Sequence, residues 1–238
     1  MNGYKSDSKK SHYDFRKRSF FSNLSATGWL IFANVVFFIV AIFLKIIYGE
    51  VFLDYIALYP ESILKGKYLW TLITHMFMHA GFLHLFVNMF VLYSLGSLCE
   101  KIIGRKRYLW FYAVSGVFAG ILSVILAGFY GYGFWAKVFG APDVYMVGAS
   151  GAIFAIAGLF VMLLPKIKFS IIFLPFFSLP GYIMVPLVLL LTWLASVAAS
   201  LPVGNVAHFG GFLSGLVYGY YLRVKYRKKV IMLGRYFQ

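Results

Sequence analysis

The sequence is short of acid, short of charge and nearly without cysteine. Only seven of its 238 residues are Asp or Glu, against 22 Lys and Arg, and Cys99 is the single cysteine. One cysteine allows neither an internal disulfide nor a cysteine-based metal site, which excludes a secreted disulfide scaffold. Charged residues make up 12% and apolar residues 62%, against roughly 25% and 45–50% in an ordinary globular domain. With a mean hydropathy of +0.83, these figures exclude a disordered chain and a soluble enzyme. A net charge of +15 would suggest nucleic acid in a soluble protein. Here the placement of the charges explains it better, and no nucleic-acid partner is expected.

What the chain has in abundance is long apolar runs. A transmembrane helix needs roughly 17–25 mostly apolar residues. Six segments qualify: Gly28–Tyr48, Met76–Leu98, Tyr108–Phe129, Val147–Leu164, Tyr182–Leu201 and Val206–Leu222. Ser170–Leu179 is apolar too, but it is short and broken by Pro175 and Pro180. It reads as an interfacial segment, not a seventh span. The connection Glu50–Thr74, rich in Leu, Tyr and Trp, reads as lying in the bilayer surface.

Six spans sort the charges by side. Eighteen basic residues and three acids fall on the side of the termini, leaving Lys45, Lys65, Lys67 and Lys137 with four acids on the other. The positive-inside rule then puts both termini in the cytoplasm. An odd number of spans would destroy this partition. The expectation is an all-α polytopic membrane protein: a basic tail over residues 1–27, a six-helix core over 28–222, and a second basic tail over 223–238. The tails serve as topology determinants and can touch the anionic surface of the lipid bilayer. The N-terminal segment lacks the pattern of a removed signal peptide, and no internal repeat suggests an inverted-repeat transporter.

Ionisable groups inside spans are costly and default to a functional role. His75, His79, His84 and His208 fall in or beside spans, and no Asp or Glu lies inside any of the six. That absence excludes a paired-aspartate intramembrane protease and a zinc protease of the H-E-x-x-H kind. Serine and histidine remain. Ser150 stands between glycines in Gly148-Ala149-Ser150-Gly151, His208 precedes Gly211, Gly215 and Gly219, and His84 and Asn88 lie four apart, on one helix face. Each has a plainer reading. A serine among small residues and a glycine repeat are commonly packing features of membrane helices. His75, His79 and His84 could gather a metal, although no acid or cysteine stands near them; no metal and no cofactor are expected.

Depth favours a site. Glu100 to His84 is 16 residues, Lys166 to Ser150 is 16 and Arg223 to His208 is 15, each about 22–24 Å of helix. In a hydrocarbon layer about 30 Å thick, all three sit roughly 6–8 Å beneath the outer surface. Polar groups from three helices at one level suit acyl transfer. A serine hydroxyl needs a neighbouring base to become a nucleophile, and His208 is the candidate. The Ser150 backbone N–H, the His84 imidazole and the Asn88 amide are candidate oxyanion donors, each worth roughly 2.7–4 kcal/mol by analogy with soluble proteases. With no carboxylate available, Ser150 and His208 would form a dyad. Phe154, one turn beyond Ser150, is placed to stack on the imidazole.

At these residues the sequence resembles the rhomboid family of intramembrane serine proteases. Gly148-Ala149-Ser150-Gly151 looks like the family's G-x-S-G motif around the nucleophile. His84-Leu85-Phe86-Val87-Asn88 is similar to its H-x-x-x-N oxyanion element, and Ala207-His208-Phe209-Gly210-Gly211 to its A-H-x-x-G element carrying the base. Glu100 and Gly104, with Arg105–Arg107 nearby, resemble its E-x-x-x-G-x-x-R structural motif. The resemblance covers about Trp70–Leu222 and implies a six-helix core with outward-facing catalysis on transmembrane protein substrates. Gly148, Gly151, Phe154 and Gly211 would support the site. Two positions depart from the pattern: Trp70-Thr71 stands where many rhomboids have Trp-Arg, and Phe154 where many have Tyr. The rival reading is a catalytically silent rhomboid-like protein that binds membrane clients; such proteins typically lose the serine or the histidine, and both are present here. A small transporter or channel would explain the polar cluster but not the missing carboxylates. The expected location is a prokaryotic-type plasma membrane.

Overall fold

The computed structural model describes residues 24–171, 174–201 and 203–237; the basic residues expected in the N-terminal tail lie outside them. Six helices of fourteen residues or more occur among the described residues: α1 (Ala26–Tyr48), α2 (Phe82–Ile103), α3 (Arg105–Tyr130), α4 (Ser150–Leu163), α5 (Gly181–Ala199) and α6 (Asn205–Lys225). Four of them, α1, α2, α3 and α5, are long and apolar enough to cross a membrane by length and composition. The other two segments expected as spans differ for separate reasons. α4 has only 14 residues, about 21 Å of helix. α6 has the length, but four glycines, three tyrosines and two basic residues dilute its apolar character.

The bundle is apolar on its outside. Phe43, Ile46 and Ile47 of α1 are each more than 60% exposed, as suits a surface solvated by lipid tails. α4 is the central element, with ten of its 14 residues buried. α6 packs on it through glycines: the positions a Cβ would take on Gly211 and Gly215 fall on the carbonyl oxygens of Gly151 and Ala155, and one on Gly158 falls on that of Phe212. On its other side α4 meets α3, where a Cβ at Gly151 would stand 2.9 Å from that of Ala119. Backbones this close need residues without side chains at the contact.

At the basic end, Glu100 near the end of α2 caps α1. Its carboxylate accepts the Ala26 N–H at 2.8 Å and both the N–H and hydroxyl of Thr27 at 2.9 Å. The first turn of α1 carries no acid of its own, so α2 supplies the negative charge that a helix N-terminus favours.

Two span starts and two further segments differ from the sequence reading. The second span does not start at Met76: His75–Phe77 is a separate 3-10 turn, and α2 begins only after the extended Gly81. The fourth starts at Ser150, not Val147, because Gly148 has φ +126°, outside helical space. The segment Ser170–Leu179 belongs to an antiparallel hairpin of β1 (Lys168–Ile171) and β2 (Leu174–Pro180). The C-terminal stretch is also helical, for α6 runs to Lys225 and α7 (Arg227–Tyr236) follows, turning Val230, Leu233 and Phe237 against the core.

Candidate active site

At the end opposite the basic one, the N-termini of α2, α4 and α6 come together. Ser150 is the first residue of α4. The chain reaches it through Gly148, whose N–H donates to the His75 carbonyl at 2.9 Å. A Cβ on Gly148 would lie 2.9 Å from Cε1 and 3.0 Å from Nε2 of His84, and 3.6 Å from the Ser150 Oγ. The imidazole of His84 and the serine hydroxyl therefore border the same small space, which a side chain at position 148 would fill.

His208 lies in the first turn of α6. Its Nε2 is 2.8 Å from the Ser150 Oγ, and its ring stacks on Phe154 with centroids 4.6 Å apart and planes 30° from parallel. Its Nδ1 is buried and has no hydrogen-bond partner among the described residues. Packing, not a carboxylate, fixes this ring. Gly211, one turn on, holds the base of α6 against Gly151.

Asn88 lies one turn along α2 from His84 and is 6% exposed; its Nδ2 has no partner among the described residues. A buried amide donor without an acceptor costs roughly 1–3 kcal/mol, so it is a group waiting for one. The structure thus brings Ser150, His208, His84 and Phe154 together at one end of the bundle, with Asn88 on the adjoining turn.

Sequence reading left His75 and His79 without distinct roles. His75 is buried, donates Nδ1–H to the Thr71 carbonyl at 2.8 Å and packs on Gly120 of α3. It fastens the Gly148 loop to α3. His79 sets its ring edge-on to His84, with centroids 5.0 Å apart. Where the arginine of Trp-Arg is missing, Thr71 is buried and the Trp70 indole N–H donates to the Tyr55 carbonyl at 2.9 Å. An isolated bridge between Leu58 and Met146 ties the same loop to the strand of chain entering the site. None of these contacts has a local sequence signal.

The family model described as "Rhomboid domain" matches residues 66–225, a stretch that includes every residue of this site. The chain belongs to the rhomboid family. Rhomboids are generally intramembrane serine proteases, and the apolar helices of this one make it a multi-pass membrane protein. Among its relatives, the Rhomboid protease GlpG of Haemophilus influenzae is 24% identical over 70% of this chain and 76% of its own. RHOMBOID-like protein 6, mitochondrial, of Arabidopsis thaliana is 31% identical over 68% of this chain and 46% of its own. Rhomboid protein 1, mitochondrial, of Saccharomyces cerevisiae is 29% identical over 61% and 40%. The chain spans less than half the length of most of these relatives. Because two of the three carry mitochondrial names, the likeness supports a membrane and not the plasma membrane in particular.

Proposed function

We propose that this rhomboid is an intramembrane serine endopeptidase that cuts single-span membrane proteins near the outer face with a Ser150–His208 dyad. The observation that carries the proposal is the 2.8 Å approach of His208 Nε2 to Ser150 Oγ beneath the ring of Phe154. In the proposed reaction His208 takes the hydroxyl proton as Ser150 Oγ attacks the substrate carbonyl. The tetrahedral oxyanion is met by the Ser150 N–H, His84 and Asn88. His208 then protonates the departing amine, and water, activated by the same imidazole, releases the acyl group.

The accompanying topology is six crossings with both termini in the cytoplasm, within a core over residues 28–222. The shortness of α4 fits this arrangement. At about 21 Å in a layer about 30 Å thick, a helix rooted at the basic face leaves Ser150 below the outer surface, within reach of water.

A fluorophosphonate probe tests the proposal directly. The wild-type protein in detergent should be labelled covalently, and Ser150→Ala should lose the label while keeping its melting temperature. A wild-type chain that takes no label, yet still binds membrane clients, would instead be the silent relative.

A further inference from the structure

The basic end of the bundle holds a cluster of cations for which peptide cleavage has no use. Tyr226 breaks the chain between α6 and α7, and three elements bring positive charges to its ring. The Arg107 guanidinium of α3 lies 5.5 Å from the ring centroid, the Lys225 ammonium of α6 5.8 Å and the Lys229 ammonium of α7 6.0 Å. Arg107 also donates to the Tyr226 hydroxyl at 3.3 Å, and Lys225 to that of Tyr221 at 2.6 Å. None of the three pairs with a carboxylate among the described residues, whose ion pairs are Lys45–Glu50 and Lys65–Glu61 at the other end. Glu100, the acid described at this end, is occupied by the N-terminus of α1. Three cations share one aromatic ring and no carboxylate, so an anion held among them would supply the missing counter-charge.

α7 indicates what kind of anion. Val230, Leu233 and Phe237 turn inward, while the opposite side presents Lys228 and Arg235 beside Ile231 and Met232, which are 49% and 70% exposed. A soluble anion needs only the cations. Basic residues interleaved with exposed apolar ones suit a headgroup with acyl chains attached, the pattern of helices that lie in a membrane interface. We propose that Arg107, Lys225 and Lys229 bind the phosphate headgroup of an anionic phospholipid whose acyl chains lie against the exposed apolar residues of α7. This site depends on the chain spanning a membrane and is independent of whether Ser150 cleaves anything.

The test is thermal unfolding of the full chain in detergent micelles with added phosphatidylglycerol, phosphatidylcholine or inorganic phosphate. Phosphatidylglycerol should raise the melting temperature by several degrees, and the other two should leave it nearly unchanged. The triple variant R107Q/K225Q/K229Q should lose most of that rise. K5Q/K9Q/K10Q, which removes the same charge from the N-terminal segment of the sequence, should keep it. Equal losses in both variants would reduce the effect to net charge and overturn the site, as would phosphate matching phosphatidylglycerol or phosphatidylglycerol having no effect. Should the first variant fail to fold, I231S/M232S keeps every cation and should still weaken the rise; an undiminished rise would overturn the lipid assignment.

Discussion

Gly148 must be glycine on two independent grounds: its φ of +126° is a conformation that side chains resist, and the space its Cβ would need is taken by His84. Only the first three-dimensional contact reveals either. By contrast, Ser150, His208, His84 and Asn88 can be found by reading along the chain, because a polar group in an apolar helix stands out against its background. Phe154 follows from helical spacing. What spacing does not contain is the loop that presents the serine, since the hydrogen bond from Gly148 to the His75 carbonyl joins residues 73 positions apart. The unpartnered amide of Asn88 leads to a prediction at this scale. Asn88→Ala and His84→Ala should each lower kcat about 10-fold or more with little change in KM, because donors to a developing oxyanion act mainly in the transition state. Steady-state kinetics on a transmembrane substrate checks it. A raised KM with unchanged kcat would make the residue a docking group.

The contact between α4 and α6 makes a sharper test of an element than any single side chain. Gly215 and Gly234 both lie in helices near the C-terminus, yet a Cβ at 215 falls on the Ala155 carbonyl and the Leu159 amide, while a Cβ at 234 meets nothing within 4 Å. Gly215→Ala should therefore destabilise by about 1–3 kcal/mol through overpacking and reduce labelling of Ser150, by moving α6 and its histidine away. Gly234→Ala should be neutral or stabilising by about 0.5–1 kcal/mol from lowered backbone entropy. Thermal unfolding of the two variants in detergent, side by side, decides the matter; equal melting temperatures would show that α6 does not bear on α4 at this point. The glycine repeat is readable as a packing face, but its partner is not. Hydropathy likewise finds the centres of the helices and misses their ends. It runs through Met76–Gly81 because all of those residues but His79 are apolar or small, although the backbone there is turn and extended chain. It passes over α7 because a ten-residue helix rich in Lys and Arg has no net apolar signal.

Over the whole molecule, the feature on which the proposed choice of substrate turns is a serine carried by the N-terminal end of a 14-residue helix. A peptide bond inside a membrane helix has its carbonyl hydrogen-bonded along the helix and screened by side chains. Unwinding it in lipid leaves N–H and C=O groups unsatisfied, each costing several kcal/mol. If Ser150 lies just beneath the outer surface, only the outer end of a substrate helix has to open, where water can satisfy the freed groups. In the proposed reaction the substrate must also fit against Ser150, bordered by Gly148, Ala149 and Gly151, all of them buried, so small residues at the cut are favoured. A single-span substrate with uniform leucine through its outer boundary should therefore resist cleavage. One Pro placed a few residues inside that boundary should restore it by at least 10-fold and one Gly by about 4- to 5-fold, since lowering the opening cost by about 1.4 kcal/mol is worth a factor of ten, and Pro and Gly remove about 3 and about 1 kcal/mol of helix stability. The pair can be compared in proteoliposomes, with the cut mapped by mass spectrometry. Equal rates for the rigid and the broken helix, or cutting at the cytoplasmic end, would mean that the position of Ser150 along its short helix has nothing to do with how the substrate is opened.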